Sequence, residues 1–140
     1  MKIEEVFARR RFIMLDGAMG TQLQLRGLTT EQKPELAAFI MPDVLTAVHR
    51  DYARAGADIL LANTFGANPR KLKGTGYTVQ QVIEASIACA RTAAQETGAL
   101  VALDIGPIGE LLEPLGTLKF DEAYALFAQM IRAGVAAGAQ

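Results

Sequence analysis

Short apolar runs alternate along this chain with longer stretches in which apolar residues recur every three or four positions. The runs are Phe12-Ile13-Met14-Leu15, Ala57-Asp58-Ile59-Leu60-Leu61-Ala62 and Ala99-Leu100-Val101-Ala102-Leu103. Runs this short, bounded by glycine, predict strands buried on both faces, as in a parallel sheet. The longer stretches predict amphipathic helices. One starts near Asp43 and places Val44, Leu45, Val48, Tyr52 and Ala55 on a face. A second does the same with Val79, Val82, Ile83, Ile87, Ala90 and Ala94. A third, from about Asp121, is expected to turn Tyr124, Phe127, Ile131 and Val135 inward. Ile3, Val6 and Phe7 predict a short helix at the start, and Thr21 to Leu28 another that ends at Gly27. Pro34 and Pro42 break the segment between them.

The helix endings repeat: Ala55-Gly56-Ala57, Thr97-Gly98-Ala99 and Ala137-Gly138-Ala139. The first two lead straight into a strand. Alternating β and α elements with right-handed crossovers give a parallel α/β sheet. About three βα units, with polar residues closing every strand, predict the N-terminal part of a (β/α)₈ TIM barrel. A whole barrel takes about 250 residues. On that reading residues 1–140 are one partial domain, cut before strand four, and Met14, Ile59, Leu61 and Val101 or their alternating neighbours line the half-barrel interior. The rival is a small open doubly wound sheet, complete in itself, whose two raw edges speak against it. A half-barrel also predicts a chain that is oligomeric or poorly soluble alone.

Composition narrows the class. Fifteen acidic residues nearly balance fourteen basic ones, with no like-charge run longer than Arg9-Arg10-Arg11. Nothing therefore points to nucleic acid or an anionic membrane. No apolar stretch approaches the roughly 20 residues of a membrane span, and the charged first residues do not read as a signal peptide. A single cysteine excludes an internal disulfide and a cysteine-built zinc site from this chain alone, and it fits a reducing cytoplasm.

The candidate chemistry gathers where the strands end. Strand one runs into Asp16-Gly17-Ala18-Met19-Gly20-Thr21, strand two into Asn63-Thr64-Phe65-Gly66, and strand three into Asp104-Ile105-Gly106-Pro107. The C-terminal ends of parallel strands are where α/β folds bind ligands. A carboxylate beside exposed amides, with glycines letting the backbone approach, could hold the ammonium and carboxylate of an amino acid. Equally, Asp16, Asn63 and Asp104 could cap their own turns. Cys89, among Ile83, Ile87 and Ala90, reads as packing. His49, beside the inward stripe of its helix, reads as a surface or packing residue. Gly74-Thr75-Gly76 is no dinucleotide loop, for it lacks a third glycine and a preceding strand.

Leu15-Asp16-Gly17-Ala18-Met19-Gly20-Thr21, Ala55-Gly56-Ala57-Asp58, Asn63-Thr64-Phe65-Gly66-Ala67-Asn68 and Asp104-Ile105-Gly106-Pro107, in this order, resemble the homocysteine S-methyltransferase family. The pattern is most similar to the homocysteine-binding barrels of its cobalamin-dependent, methionine synthase branch. The resemblance implies methyl transfer to the sulfur of homocysteine, giving methionine. It implies zinc held by three cysteines, which would lie beyond Gln140, with cobalamin-binding and folate-binding modules as partners in the full-length enzyme. It places Asp16 at the substrate ammonium, the amides of Gly17 and Ala18 at its carboxylate, Asn63 and Thr64 at the same mouth, and Asp104 as a second acid. No catalytic residue and no metal ligand is expected within this chain, which alone should bind no zinc and transfer no methyl group. Two alternatives remain: a donor such as S-methylmethionine or S-adenosylmethionine, or a non-catalytic fragment.

Overall fold

A computed structural model of the protein describes residues 3–9 and 12–140. In chain order the elements are α1 (Ile3–Arg9), α2 (Met19–Leu25), a 3₁₀ turn (Pro34–Leu36), α3 (Ala37–Ile40), α4 (Pro42–Arg54), β1 (Ile59–Leu61), α5 (Val79–Ala94), β2 (Leu100–Ala102) and α6 (Phe120–Ala136). Strands and helices alternate from α4 onward, and β1 and β2 pair in parallel with Leu60 opposite Val101. The fold is α/β.

Three apolar runs predict three strands, and the first is shorter than expected. It reduces to a parallel bridge between Leu15 and Ile59, flanked by hydrogen bonds from Asp58 N to Met14 O (2.8 Å) and from Asp16 N to Ile59 O (3.1 Å). Phe12, Met14 and Leu15 are more than half exposed, so little packing extends the pairing. On the far side of β2, Gln140 N donates to Val101 O at 2.9 Å. Among the described residues the order across the sheet is therefore the order along the chain, without the reversal point a doubly wound sheet contains.

The repeated endings have one physical basis. Gly56 and Gly138 adopt φ of 104° and 84°, conformations that a Cβ penalises and glycine does not. Each helix then closes with the same two bonds: Gly56 N to Ala53 O and Ala57 N to Tyr52 O, matched by Gly138 N to Val135 O and Ala139 N to Gly134 O. This Schellman closure satisfies carbonyls that a helix end leaves open.

The core is organised by α5. A capping box starts it, with Thr78 and Gln81 each bonding the other's backbone. Val79, Val82, Ile83, Ile87, Ala90 and Ala94 are all buried, as their spacing predicts. Each fully buried Val or Ile stabilises by roughly 1.5–3 kcal/mol. They pack with Leu60 and Val101 from the sheet and with Ala123, Met130 and Ala133 from α6. The opposite pleat face, Ile59 and Leu100, is covered by Val6 of α1 and by Ile13. Successive strand residues point to opposite faces. Val101 thus belongs to the helix layer while its neighbour Leu100 shares a face with Ile59, and Met14 is exposed. A third cluster joins α2, α3 and α4 through Leu23, Ala37, Ala38, Leu45 and Val48.

Two helices differ from their predicted faces. On α6, Tyr124, Ile131 and Val135 are exposed, and Phe127 is only partly buried. The face that meets α5 and β2 carries Ala123, Met130, Ala133 and Gly134 instead, because small residues let the elements approach closely. A Cβ at Gly134 would stand 2.6 Å from Leu103 Cδ2. On α4, the expected face holds except at its end, where Ala55 lies past the last helical residue and is exposed. In α1, Val6 is buried and Phe7 exposed, while the side chain of Ile3 lies outside the described residues. Among the described residues no helix is long and apolar enough to cross a membrane.

Candidate functional site

The strand ends open onto a cleft of about 420 Å³. Its walls are the Gly17–Thr21 turn, Pro34 and Glu35 from the 3₁₀ turn, Leu61 to Asn63, Phe65 and Asp104. Backbone pairing positions them: Asp16 follows the Leu15 bridge, Asn63 follows β1, and Asp104 follows β2.

Asp16 is half-buried with its two oxygens in different states. Oδ2 accepts from Leu61 N at 3.0 Å, which ties strand one to the end of β1. Oδ1 is buried with no protein partner. Burial pushes the carboxyl from an ordinary 3.8 up to about 6; the Leu61 amide works against this and the Asp104 charge adds to it. Asp104 is itself raised, by burial. Two carboxylates close enough to feel each other, one with a vacant acceptor, form a site that favours a cationic hydrogen-bond donor.

The other candidate residues divide. Gly17 and Ala18 line the cleft. Asn63 also lines it, but its amide Nδ2 donates to Pro34 O at 2.6 Å and so ties the 3₁₀ turn to β1. Thr64 does not line it: the side chain is fully buried, with Oγ1 donating to Asp104 O at 2.8 Å. The structure thus brings Gly17, Ala18, Asn63 and Asp104 to one cleft, sets Asp16 beside it where the Gly17 turn begins, and buries Thr64 behind it.

Two wall residues had no distinct signal in the sequence. Phe65 is half-exposed, with Lys71 Nζ 5.3 Å from its ring centroid. Glu35 reaches the cleft because its carboxylate occupies the space a Cβ would fill at Gly66. Gly106 N donates to Phe65 O at 3.0 Å, and a Cβ at Gly106 would collide with that carbonyl, so the loops after β1 and β2 are locked together. The Pro-bounded segment around Glu35 reads only as a break, and its approach to β1 is a tertiary fact.

The sequence profile described as homocysteine S-methyltransferase matches residues 13–140. The chain belongs to the homocysteine S-methyltransferase family. It is 38% identical over 124 residues to a methionine synthase of Mycobacterium tuberculosis, covering 79% of this chain and 10% of that one. It is 31% identical over 117 residues to a homocysteine S-methyltransferase of Escherichia coli, covering 74% of this chain and 38% of that one. Among solved structures, the E. coli homocysteine methyltransferase MmuM aligns over 98% of this chain and 54% of its own. Its metallated form gives a TM-score of 0.83 at 24% identity, and its oxidised form covers 53% of its own chain, with a TM-score of 0.81 at 26% identity. The chain thus spans about half the length of the solved relative and less of the curated ones.

Zinc, which the resemblance implies, meets no matching set of donors here. Among the described residues no three His, Cys, Asp or Glu side chains converge to hold a metal ion. Cys89, on α5, packs against the cluster of α2, α3 and α4 and is hydrogen-bonded to Thr46, with burial pushing its thiol up; that disfavours the thiolate a metal needs. His49 is fully buried, with neither ring nitrogen partnered. Both residues pack, as the sequence reading has them. The described residues do not fit a zinc site.

Proposed function

We propose that this chain is the N-terminal part of a (β/α)₈ barrel that holds homocysteine by its amino-acid end, in an enzyme that methylates the thiol to give methionine. The chain-ordered parallel strands, with α4, α5 and α6 in sequence on one face, support the barrel reading. The match to MmuM over about half of that protein supports it too. The single observation that carries the substrate reading is the buried, unpartnered Oδ1 of Asp16, which lies next to the cleft-lining Gly17 and feels the charge of the cleft-lining Asp104. An ammonium group placed there satisfies that oxygen and neutralises the mutual repulsion of Asp16 and Asp104. The Gly17 and Ala18 amides face the adjoining carboxylate, and Asn63 keeps the far wall in place. The thiol is then left at the end of the molecule away from Asp16 and Asp104.

The methionine synthase type, with cobalamin as methyl carrier, is the reading we favour for the donor. Its support is the likeness to the mycobacterial methionine synthase, which is also the more identical of the two curated relatives described above. A sulfonium donor is the alternative.

The test is Asp16→Asn in the full-length protein. The variant keeps the shape and the bond from Leu61 N but loses the charge. A charge-assisted hydrogen bond is worth about 1.5–3 kcal/mol, so the Kd for homocysteine should rise roughly tenfold to a hundredfold. A turn-capping Asp16 instead predicts an unchanged Kd with a lower Tm, and that result would retire the reading.

A further inference from the structure

Tyr52 stands behind the cleft yet holds its rim. It belongs to the last turns of α4, and its ring touches both the central core and the cluster beneath α2. Its hydroxyl donates to the Ala18 carbonyl at 2.9 Å. Its ring also lies against Gly17, where a Cβ would stand 3.0 Å from both Cε1 and Oη. One side chain therefore grips the turn after Asp16 at two consecutive residues, 34 positions away in sequence.

The grip sets a direction. A planar trans peptide points its C=O and N–H to opposite sides. With the Ala18 carbonyl drawn towards Tyr52, the N–H of Met19 is turned away from the tyrosine. Met19 lines the cleft and Tyr52 does not. Gly17 has no Cβ to resist rotation of the neighbouring peptide, so the tyrosine supplies the restraint that the turn itself lacks.

We propose that Tyr52 is a positioning residue, which orients the Ala18–Met19 peptide so that its N–H faces the cleft and receives the carboxylate of the bound amino acid. This rests on the amino-acid reading of the cleft. It explains why an aromatic residue with a hydroxyl occupies a helix position that a plain apolar residue would fill if packing alone mattered. It also adds a residue distant in sequence to the recognition of the substrate's acid end.

The experiment compares two ligands by titration calorimetry on the full-length protein: homocysteine and 3-aminopropanethiol, the same molecule without its carboxylate. Tyr52→Phe should weaken homocysteine about fivefold to tenfold, the effect of one net hydrogen bond, and leave 3-aminopropanethiol unchanged. Tyr52→Leu also removes the ring from Gly17 and should weaken homocysteine further, with the analogue again spared. Equal weakening of both ligands, or of neither, overturns the proposal. Asp16→Asn is the control for the underlying reading, since the ammonium is common to both ligands and both should weaken. If Asp16→Asn affects neither, the amino-acid reading fails. If it weakens both while Tyr52→Phe weakens neither, that reading stands and the role of Tyr52 falls.

Discussion

The Thr64 hydroxyl clasps the backbone of Asp104 from both sides, donating to its carbonyl at 2.8 Å and accepting from its N–H at 3.1 Å. A single buried side chain at the end of β1 thus fixes the position of an acid at the end of β2. Thr64→Val keeps the shape and removes both bonds. Leaving buried partners unsatisfied costs about 1–3 kcal/mol, so Tm should fall and homocysteine affinity should weaken less than in Asp16→Asn. Thermal melts beside ligand titration check this. A variant with unchanged Tm would show that the clasp does not hold the loop.

Asp16 should cost stability at neutral pH. Its folded-state pKa of about 6 lies above the ordinary 3.8, so the folded state binds the proton more tightly than the unfolded one. Stability from this group is full below about 3.8 and is lost as pH rises to about 6. Asp16→Asn removes the charge, so it should melt higher than the parent at pH 7. That advantage should shrink as pH falls from 6 towards 4. Melts of both proteins over this range give the answer, and an advantage independent of pH would contradict it. Coupled with weaker homocysteine binding, the pattern would mark a residue kept for its ligand at the expense of the fold.

Much of this was legible because burial and period agree. The α5 stripe is buried on every predicted position, and the polar residues that close the strands do converge, since parallel pairing brings the strand ends to one side. The α6 face was not legible. Tyr124, Ile131 and Val135 satisfy the helical period, but which side meets α5 is decided by the close approach that Ala133 and Gly134 permit, and a hydropathy pattern ranks large residues above small ones. Thr64 was misplaced for a related reason: adjacency to Asn63 says nothing about alternation, which turns one side chain to the cleft and buries the next. Tyr52 was read only as packing because its partner, the Ala18 carbonyl, has no side-chain signature at all. Glu35 and Phe65 likewise reach the cleft through contacts made only after the loops lock.

His49 sets a second pH dependence, opposite in sign to that of Asp16. It is fully buried in α4, and neither ring nitrogen has a protein partner. Burial lowers its pKa from 6.5 to about 4. For a base this means that the unfolded state takes up the proton first, so stability is retained above about 6.5 and lost as pH falls towards 4. A shift of this size corresponds to roughly 3 kcal/mol across the full window, at about 1.4 kcal/mol per pKa unit. His49→Leu replaces the ring with an apolar side chain of similar bulk among Leu45 and Val48, and removes two unsatisfied nitrogens as well as the titration. At pH 7.5 the variant should therefore be at least as stable as the parent, and between pH 6.5 and 4 its advantage should widen. Denaturant unfolding at fixed temperature over that range is the measurement, and it separates the two groups: the His49→Leu advantage grows on acidification, whereas the Asp16→Asn advantage shrinks. Parallel curves for His49→Leu and the parent would mean that the imidazole is protonated equally in the folded and unfolded states, which its burial forbids.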